Sequence, residues 1–237
     1  MPPPTTRHQD AVDRIAGWIV RSRFDEATAL PNEFDIGDEL GVSRTVVREA
    51  MRTLAAKGMV TVRPRLGTRV QPVERWNLFD PQVVAWRMEA GLSKDLVANL
   101  IDFRLAIEPF AADRAASRPD FPIAELEAAY AAMQDAAGTG LPFTEADLQF
   151  HATILRGTGN SYFEHLIPFV ENALRLSFDL SIRNPDDAHQ SLPVHRRVVE
   201  ALAAHDGAGA REAMTQMIEQ ARDEILAAMP SDPGADR

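Results

Sequence analysis

Residues 30–70 read LPNEFDIGDELGVSRTVVREAMRTLAAKGMVTVRPRLGTRV, and this stretch decides the fold of the first part of the chain. Pro31 and Asn32 are helix-start residues, and segment 30–41 buries Phe34 or Ile36 together with Leu40. Gly41 and Val42 make a tight turn, Ser43 is a good N-cap, and the helix that follows is closed by Gly58. Two short helices joined by a short turn containing Gly form a helix-turn-helix. Upstream, residues 10–22 set Val12, Ile15, Ile19 and Val20 near helical spacing and add a first amphipathic helix. Downstream, MVTVRP alternates as a strand, RLG turns and TRVQ returns, which makes a β-hairpin wing.

The second helix of this pair carries two kinds of face. Val47, Ala50, Met51 and Leu54 form one apolar stripe, while Arg44, Thr45, Arg48 and Arg52 lie elsewhere on the surface. Arg and Thr at the start of such a helix are suited to base edges and phosphates, and Arg65, Gly67 and Arg69 of the wing to the backbone or minor groove. The charge distribution bears on this. The 237 residues hold 25 Lys and Arg against 35 Asp and Glu, a net charge of −10 that points away from nucleic acid. Residues 44–69, however, hold seven basic residues against Glu49 alone, a net of +6, whereas residues 73–237 sum to −12. A basic block on an acidic chain is either a phosphate-facing surface or an ordinary solvated face.

Composition narrows the alternatives. A chain of this length suits one or two domains. The absence of Cys excludes a disulfide scaffold, a thiolate metal site and a cysteine nucleophile. The sequence contains no apolar run of membrane-spanning length and no signal-peptide core in MPPPTTRHQD, so a cytoplasmic protein that makes no membrane contact is expected.

Residues 73–91 read as a linker between a winged helix-turn-helix domain at 1–72 and a second domain at 92–229. Trp76, Phe79 and Trp86 either stack on nucleic acid or pin this linker against one domain. Beyond Gly91 helical spacing prevails, with a long helix that Pro109 kinks and others near 123–137, 142–157, 160–182, 189–205 and 207–229. The expected fold is mainly α: the winged domain, then an all-α antiparallel bundle, then a disordered polar tail at 230–237.

Three features of the bundle carry chemistry. Asp147 and His151 stand four apart and leave one face of a helix, His195 opens another helix, and Arg104 interrupts an apolar one ahead of Glu108 and Pro109. One Asp with two His suits Zn, Ni, Mn or Fe, although an i,i+4 Asp/His pair is also a common surface ion pair. Arg104 is the best candidate to fork a carboxylate, with Asn172 and Arg175 as further candidates for the same cavity.

The motifs LP-x-E, LGVSRT-x-VREA, L-A-x-K-G and RP-x-x-GT-x-V, in register over about forty residues, resemble the winged-helix domain of GntR-family transcriptional regulators of the FadR-like branch. Residues 92–229 resemble the FCD ligand-binding domain through R-LAI-EP, D-LQF-H-ATIL and H-RRVVEAL. The resemblance implies that Arg44, Thr45 and Arg48 contact DNA, that Gly67 is the wing tip, and that Asp147, His151 and His195 ligate a divalent metal, Zn first, with Ni or Mn compatible. Two positions depart from the pattern: Phe34 replaces a frequent Arg, and Met217 stands where a fourth His is expected. The WNLFDP segment resembles members that sense sugar acids.

These features lead to a ligand-responsive DNA-binding regulator. It is expected to be a homodimeric repressor that binds double-stranded operator DNA and releases it when a small carboxylate such as an aldonate binds. The metal site is either a three-ligand centre open to the effector or a set of polar groups that bind the effector directly. The rivals are a metal-dependent enzyme on the bundle and a sensor of fatty acyl-CoA type.

Overall fold

The computed structural model describes residues 6–24, 29–63, 67–91, 93–137, 141–181 and 185–229. The chain divides into two compact units, Met1–Leu92 and Ser93–Arg237. Arg65 and the expected turn around it lie outside the described residues, as does the tail at 230–237.

The first unit comprises α1 (Arg7–Val20), α2 (Glu33–Leu40), α3 (Arg44–Ala56), β1 (Val60–Arg63) and β2 (Gly67–Val70). Each helix begins at a side-chain cap that satisfies its free N–H groups: Thr6 for α1, Asn32 for α2 and Ser43 for α3. Gly41 ends α2 at φ 68°, a conformation that costs Gly least. β1 and β2 pair antiparallel, with Val60 opposite Val70 and Arg63 opposite Gly67. The core joins Val12, Ile15 and Ile19 to Ile36, Leu40, Val47, Met51, Leu54 and Met59. Ile36 therefore takes the buried position on α2, while Phe34 is 57% exposed.

Residues 73–91, expected as a linker, are a 3-10 turn at Val73–Arg75 followed by α4 (Pro81–Glu89), and both belong to the first unit. Asp80 caps α4 and pairs with Lys57, and Val83 and Trp86 enter the N-terminal core. The Trp86 indole donates to Asp13 at 3.0 Å, and the Trp76 indole donates to the Gln71 carbonyl at 2.7 Å. Both indoles are thus held by the protein itself, whereas Phe79 is 57% exposed.

The second unit is helical: α5 (Lys94–Ala116), α6 (Ile123–Ala136), α7 (Leu141–Gly157), α8 (Ser161–His165), α9 (Ile167–Ser181), α10 (Pro185–Ala203) and α11 (Gly207–Ala228). α11 packs on α5, α9 and α10, and α6 packs on α7 and α10, so α5, α7 and α10 meet inside one bundle. The single helix expected over 160–182 is two, broken at Leu166. Pro168 lies in the first turn of α9, where a missing N–H is tolerated and a continuing helix is not. α5 runs through Pro109, which cannot donate to the Leu105 carbonyl one turn back.

Two glycines separate backbone cost from steric cost. A Cβ at Gly41 meets nothing within 4 Å, whereas at Gly58, φ 77°, it overlaps the Arg75 carbonyl oxygen. Gly41→Ala is expected to lose roughly 1–2 kcal/mol from the left-handed backbone alone. Gly58→Ala should lose more, since residues 75–76 must move away. Denaturant unfolding of the two variants checks this, and an equal loss would refute the close docking of the segment after β2.

Candidate functional site

Chemistry gathers in two places, one in each unit. On α3, Arg44, Thr45, Arg48 and Arg52 are exposed on the side away from the buried stripe. Glu33, the first residue of α2, faces this row. Arg48 donates to its carboxylate through Nε at 3.1 Å and Nη2 at 2.9 Å, and Arg44 Nη2 stands 3.9 Å from it. Arg52 pairs with Glu49 at 2.7 Å. The hydrogen bond from Arg48 outweighs partial burial and holds the Glu33 carboxyl below its ordinary range. All these groups meet water, so phosphate oxygens can take over the guanidinium groups at small cost. Gly67 is exposed at the start of β2 with φ 79°, and Arg69 is half-buried on the same strand. Phe34 adds an exposed ring next to Glu33.

Arg48→Ala is expected to weaken binding to a selected duplex site by roughly tenfold or more. Fluorescence anisotropy measures this, and undiminished affinity would remove Arg48 from the interface.

The second place is interior. Arg104, Glu108, Asp147, His151 and His195 are each at most 4% exposed. α5 supplies Arg104 and Glu108 one turn apart, α7 supplies Asp147 and His151 one turn apart, and α10 supplies His195. Arg104 donates through Nε to Glu108 Oε1 at 2.6 Å, and the second oxygen of Glu108 faces His151 Nδ1 at 2.5 Å. His195 presents Nδ1 to the Ser191 carbonyl at 2.7 Å and Nε2 to Asp147 Oδ1 at 2.8 Å. His151 Nε2 stands 3.7 Å from the same Asp147 oxygen. Phe150 sits edge-on to both imidazoles, with centroids 5.7 Å and 5.0 Å away.

This geometry fits a cation. A carbonyl or carboxylate accepts the Nδ1 proton of each ring, which leaves the Nε2 lone pairs turned toward one carboxylate oxygen. The three candidate ligand atoms lie within 4.8 Å of one another. Ligands about 2.0–2.2 Å from a shared ion stand roughly 3–3.5 Å apart, close to the spacings of 2.8 and 3.7 Å seen here. Met217 is buried on α11, and its thioether is a poor donor for a hard divalent ion.

Of the sequence candidates for this cavity, the structure brings together Arg104, Asp147, His151 and His195. Arg175 is not among them: it lies on the surface of α9, with its guanidinium on Glu145 at 2.8 Å and 3.4 Å. Asn172 is half-buried on α9, which packs on α5 and α7. Glu108 is the residue that sequence reasoning passed over. Arg104 makes its one hydrogen bond through Nε, and Nη1 and Nη2 donate to nothing among the described residues. No described side-chain nitrogen or oxygen is both sealed from solvent and unpaired, so these amino groups border space that water or a ligand reaches.

Burial pushes the Glu108 carboxyl up, but the Arg104 guanidinium and the His151 ring reverse this and bring it to about 2, below its ordinary 4.5. Asp147 is lowered in the same way, with His151 and His195 overcoming its burial. A depressed carboxyl stabilises the fold above its unfolded value, and that contribution disappears as pH falls through the folded one. Metal-free protein should therefore lose thermal stability as pH drops from 4.5 toward about 2. Glu108→Gln should flatten part of this slope in circular-dichroism melts, and an unaltered slope would contradict the charged state assigned to Glu108.

Both parts of the chain match known protein families. Residues 7–70 match the model for bacterial regulatory proteins of the gntR family, and residues 99–220 match the FCD domain. The HTH-type transcriptional regulator YieP of Escherichia coli K12 is 30% identical, over 87% of this chain and 90% of its own length. The galactonate operon transcriptional repressor of the same strain is 28% identical, over 84% and 88%. A probable D-xylose utilization operon repressor of Paenarthrobacter nicotinovorans is 30% identical, over 90% and 86%. A solved structure of Lar, which controls the agr system of Listeria monocytogenes, shares the fold with a TM-score of 0.62 at 16% identity, covering 92% of this chain and 97% of its own. These relatives are regulators rather than enzymes, which removes the metal-dependent enzyme from consideration. The chain belongs to the GntR family of bacterial transcriptional regulators and pairs its DNA-binding domain with an FCD domain.

Proposed function

We propose that this regulator is a homodimeric repressor whose FCD domain senses a small hydroxy-carboxylate, a sugar acid, with the help of a divalent metal. In this reading residues 1–72 hold the operator, 73–91 pack on that domain and lead into the second, and 92–229 carry the effector site. Arg44, Thr45, Arg48 and Arg52 on α3, with the wing residues Arg65, Gly67 and Arg69, contact DNA. Asp147, His151 and His195 hold the ion, Zn by preference, and Arg104 takes the effector carboxylate.

The observation that carries this reading is the buried Arg104 with its amino groups unengaged, linked through Glu108 to a three-residue cation set. Charge explains why the two go together. With neutral imidazoles, Arg104, Glu108 and Asp147 sum to −1, and an uncompensated buried charge is costly. A divalent ion turns that to +1, which one carboxylate neutralises. The ion supplies a Lewis-acidic partner for the carboxylate or hydroxyl of the effector when bound. Arg104 binds and orients the acid in a fork that Lys cannot reproduce. Two relatives, repressors of galactonate and D-xylose operons, support an effector from sugar metabolism. A buried ionic cluster in the bundle disfavours the apolar tunnel of an acyl-CoA sensor.

Effector binding need only favour the DNA-released state over the DNA-competent one by a differential affinity. Two readers on a palindromic site supply the specificity that a single winged domain lacks. Release is tested by anisotropy with a selected operator duplex, using D-galactonate and related sugar acids as titrants. Arg104→Gln should still bind the duplex yet need at least a hundredfold more acid for release. A normal response would place the effector elsewhere. Dialysis against a chelator should abolish the response of the unaltered protein, and zinc should restore it. A full response without metal would leave direct hydrogen bonding as the mode of capture.

A further inference from the structure

Glu108 lies outside every set of ligand or effector residues named so far, yet it touches both. Its side chain is 2% exposed and its two oxygens serve different partners, Arg104 Nε and His151 Nδ1. A buried carboxylate with one such partner would be an ordinary ion pair. With two on separate helices, it ties the orientation of a metal-facing imidazole on α7 to a guanidinium on α5.

We propose that Glu108 is a positioning residue that sets the metal affinity of the FCD site through His151. Its Oε2 accepts the Nδ1 proton, which fixes the tautomer that leaves the Nε2 lone pair free to ligate a cation beside Asp147. Its Oε1 holds Arg104 by Nε alone, so the terminal amino groups remain directed at the effector space. The second imidazole has no such carboxylate: His195 relies on the Ser191 carbonyl, a neutral acceptor. The two histidines are therefore unequal ligands, with His151 the stronger. This inference rests on the reading of Asp147, His151 and His195 as a metal site.

Competition titration with zinc alone tests it. Glu108→Gln should weaken zinc binding by about 10- to 100-fold, the usual effect of losing such an outer partner. That variant also leaves the Arg104 charge unpaired, so a double variant, Arg104→Met with Glu108→Gln, removes that repulsion. The double variant should remain at least tenfold weaker than the unaltered protein. Recovery of full affinity would show that Glu108 merely neutralises Arg104, and would overturn the proposal. The third measurement needs no substitution: imidazole nitrogen–proton correlation spectra of the zinc-loaded protein should show His151 protonated at Nδ1 and coordinated through Nε2. The opposite tautomer would overturn the proposal even if neither variant folds. Unaltered protein that binds no zinc would bring down the metal site and this inference together. Zinc binding that is indifferent to Glu108 would bring down this inference alone.

Discussion

The bond between Arg104 and Glu108 is the constraint on which the effector domain is built. Both groups are charged, both are buried, and neither is tolerable there without the other. Placing them one turn apart on α5 makes the pairing local to that helix. What remains of Glu108 is a second oxygen, and that oxygen determines where the His151 ring points. Asp147 then stands between His151 and His195 and is kept ionised by both. The site is a chain of linked charges that sums to −1 with neutral imidazoles, and an ion with its acid ligand would neutralise it.

The parts of the fold read correctly from sequence are those whose causes are local. Asn32, Gly41, Ser43 and Gly58 mark helix ends because each meets a backbone requirement within a few residues. Asp147 and His151 share a face because they are i and i+4. His195 is 48 residues from Asp147, and no spacing rule joins them; ligand chemistry suggested the grouping and the resemblance strengthened it. Glu108 escaped notice for the same reason, since its partner His151 is 43 residues away and Pro109 draws attention to backbone geometry instead. Arg175 shows the reverse error: a charged residue within an apolar helix can lie on the exposed side and pair with a neighbour such as Glu145. Trp86 entered the N-terminal core because its ring gains apolar burial there while Asp13 accepts its N–H.

The charge count of −10 is an average over two chemically unlike units. The arginines of α3 are exposed, and their positive charge acts at short range, because salt screens it beyond about 8–10 Å. All of the acidic excess lies after residue 72, where the chain sums to −12. No described helix is long and apolar enough to cross a membrane.

The pairing of Glu33 with Arg48 and Arg44 has a consequence for how such a reader searches a genome. Arg48 does not wait as a loose cation: it already donates two hydrogen bonds to an internal carboxylate, with Arg44 3.9 Å from the same group. Part of the side-chain entropy lost on docking has thus been given up in the free protein. Any phosphate must also compete with Glu33 before it gains a guanidinium, and that competition applies on every stretch of duplex, right or wrong. Random DNA, which offers phosphates alone, gains little from the exchange. A correct site adds base-edge hydrogen bonds that Glu33 cannot match. On the proposed reading, the carboxylate beside α3 lowers the gain from phosphate contacts alone and leaves discrimination to the bases.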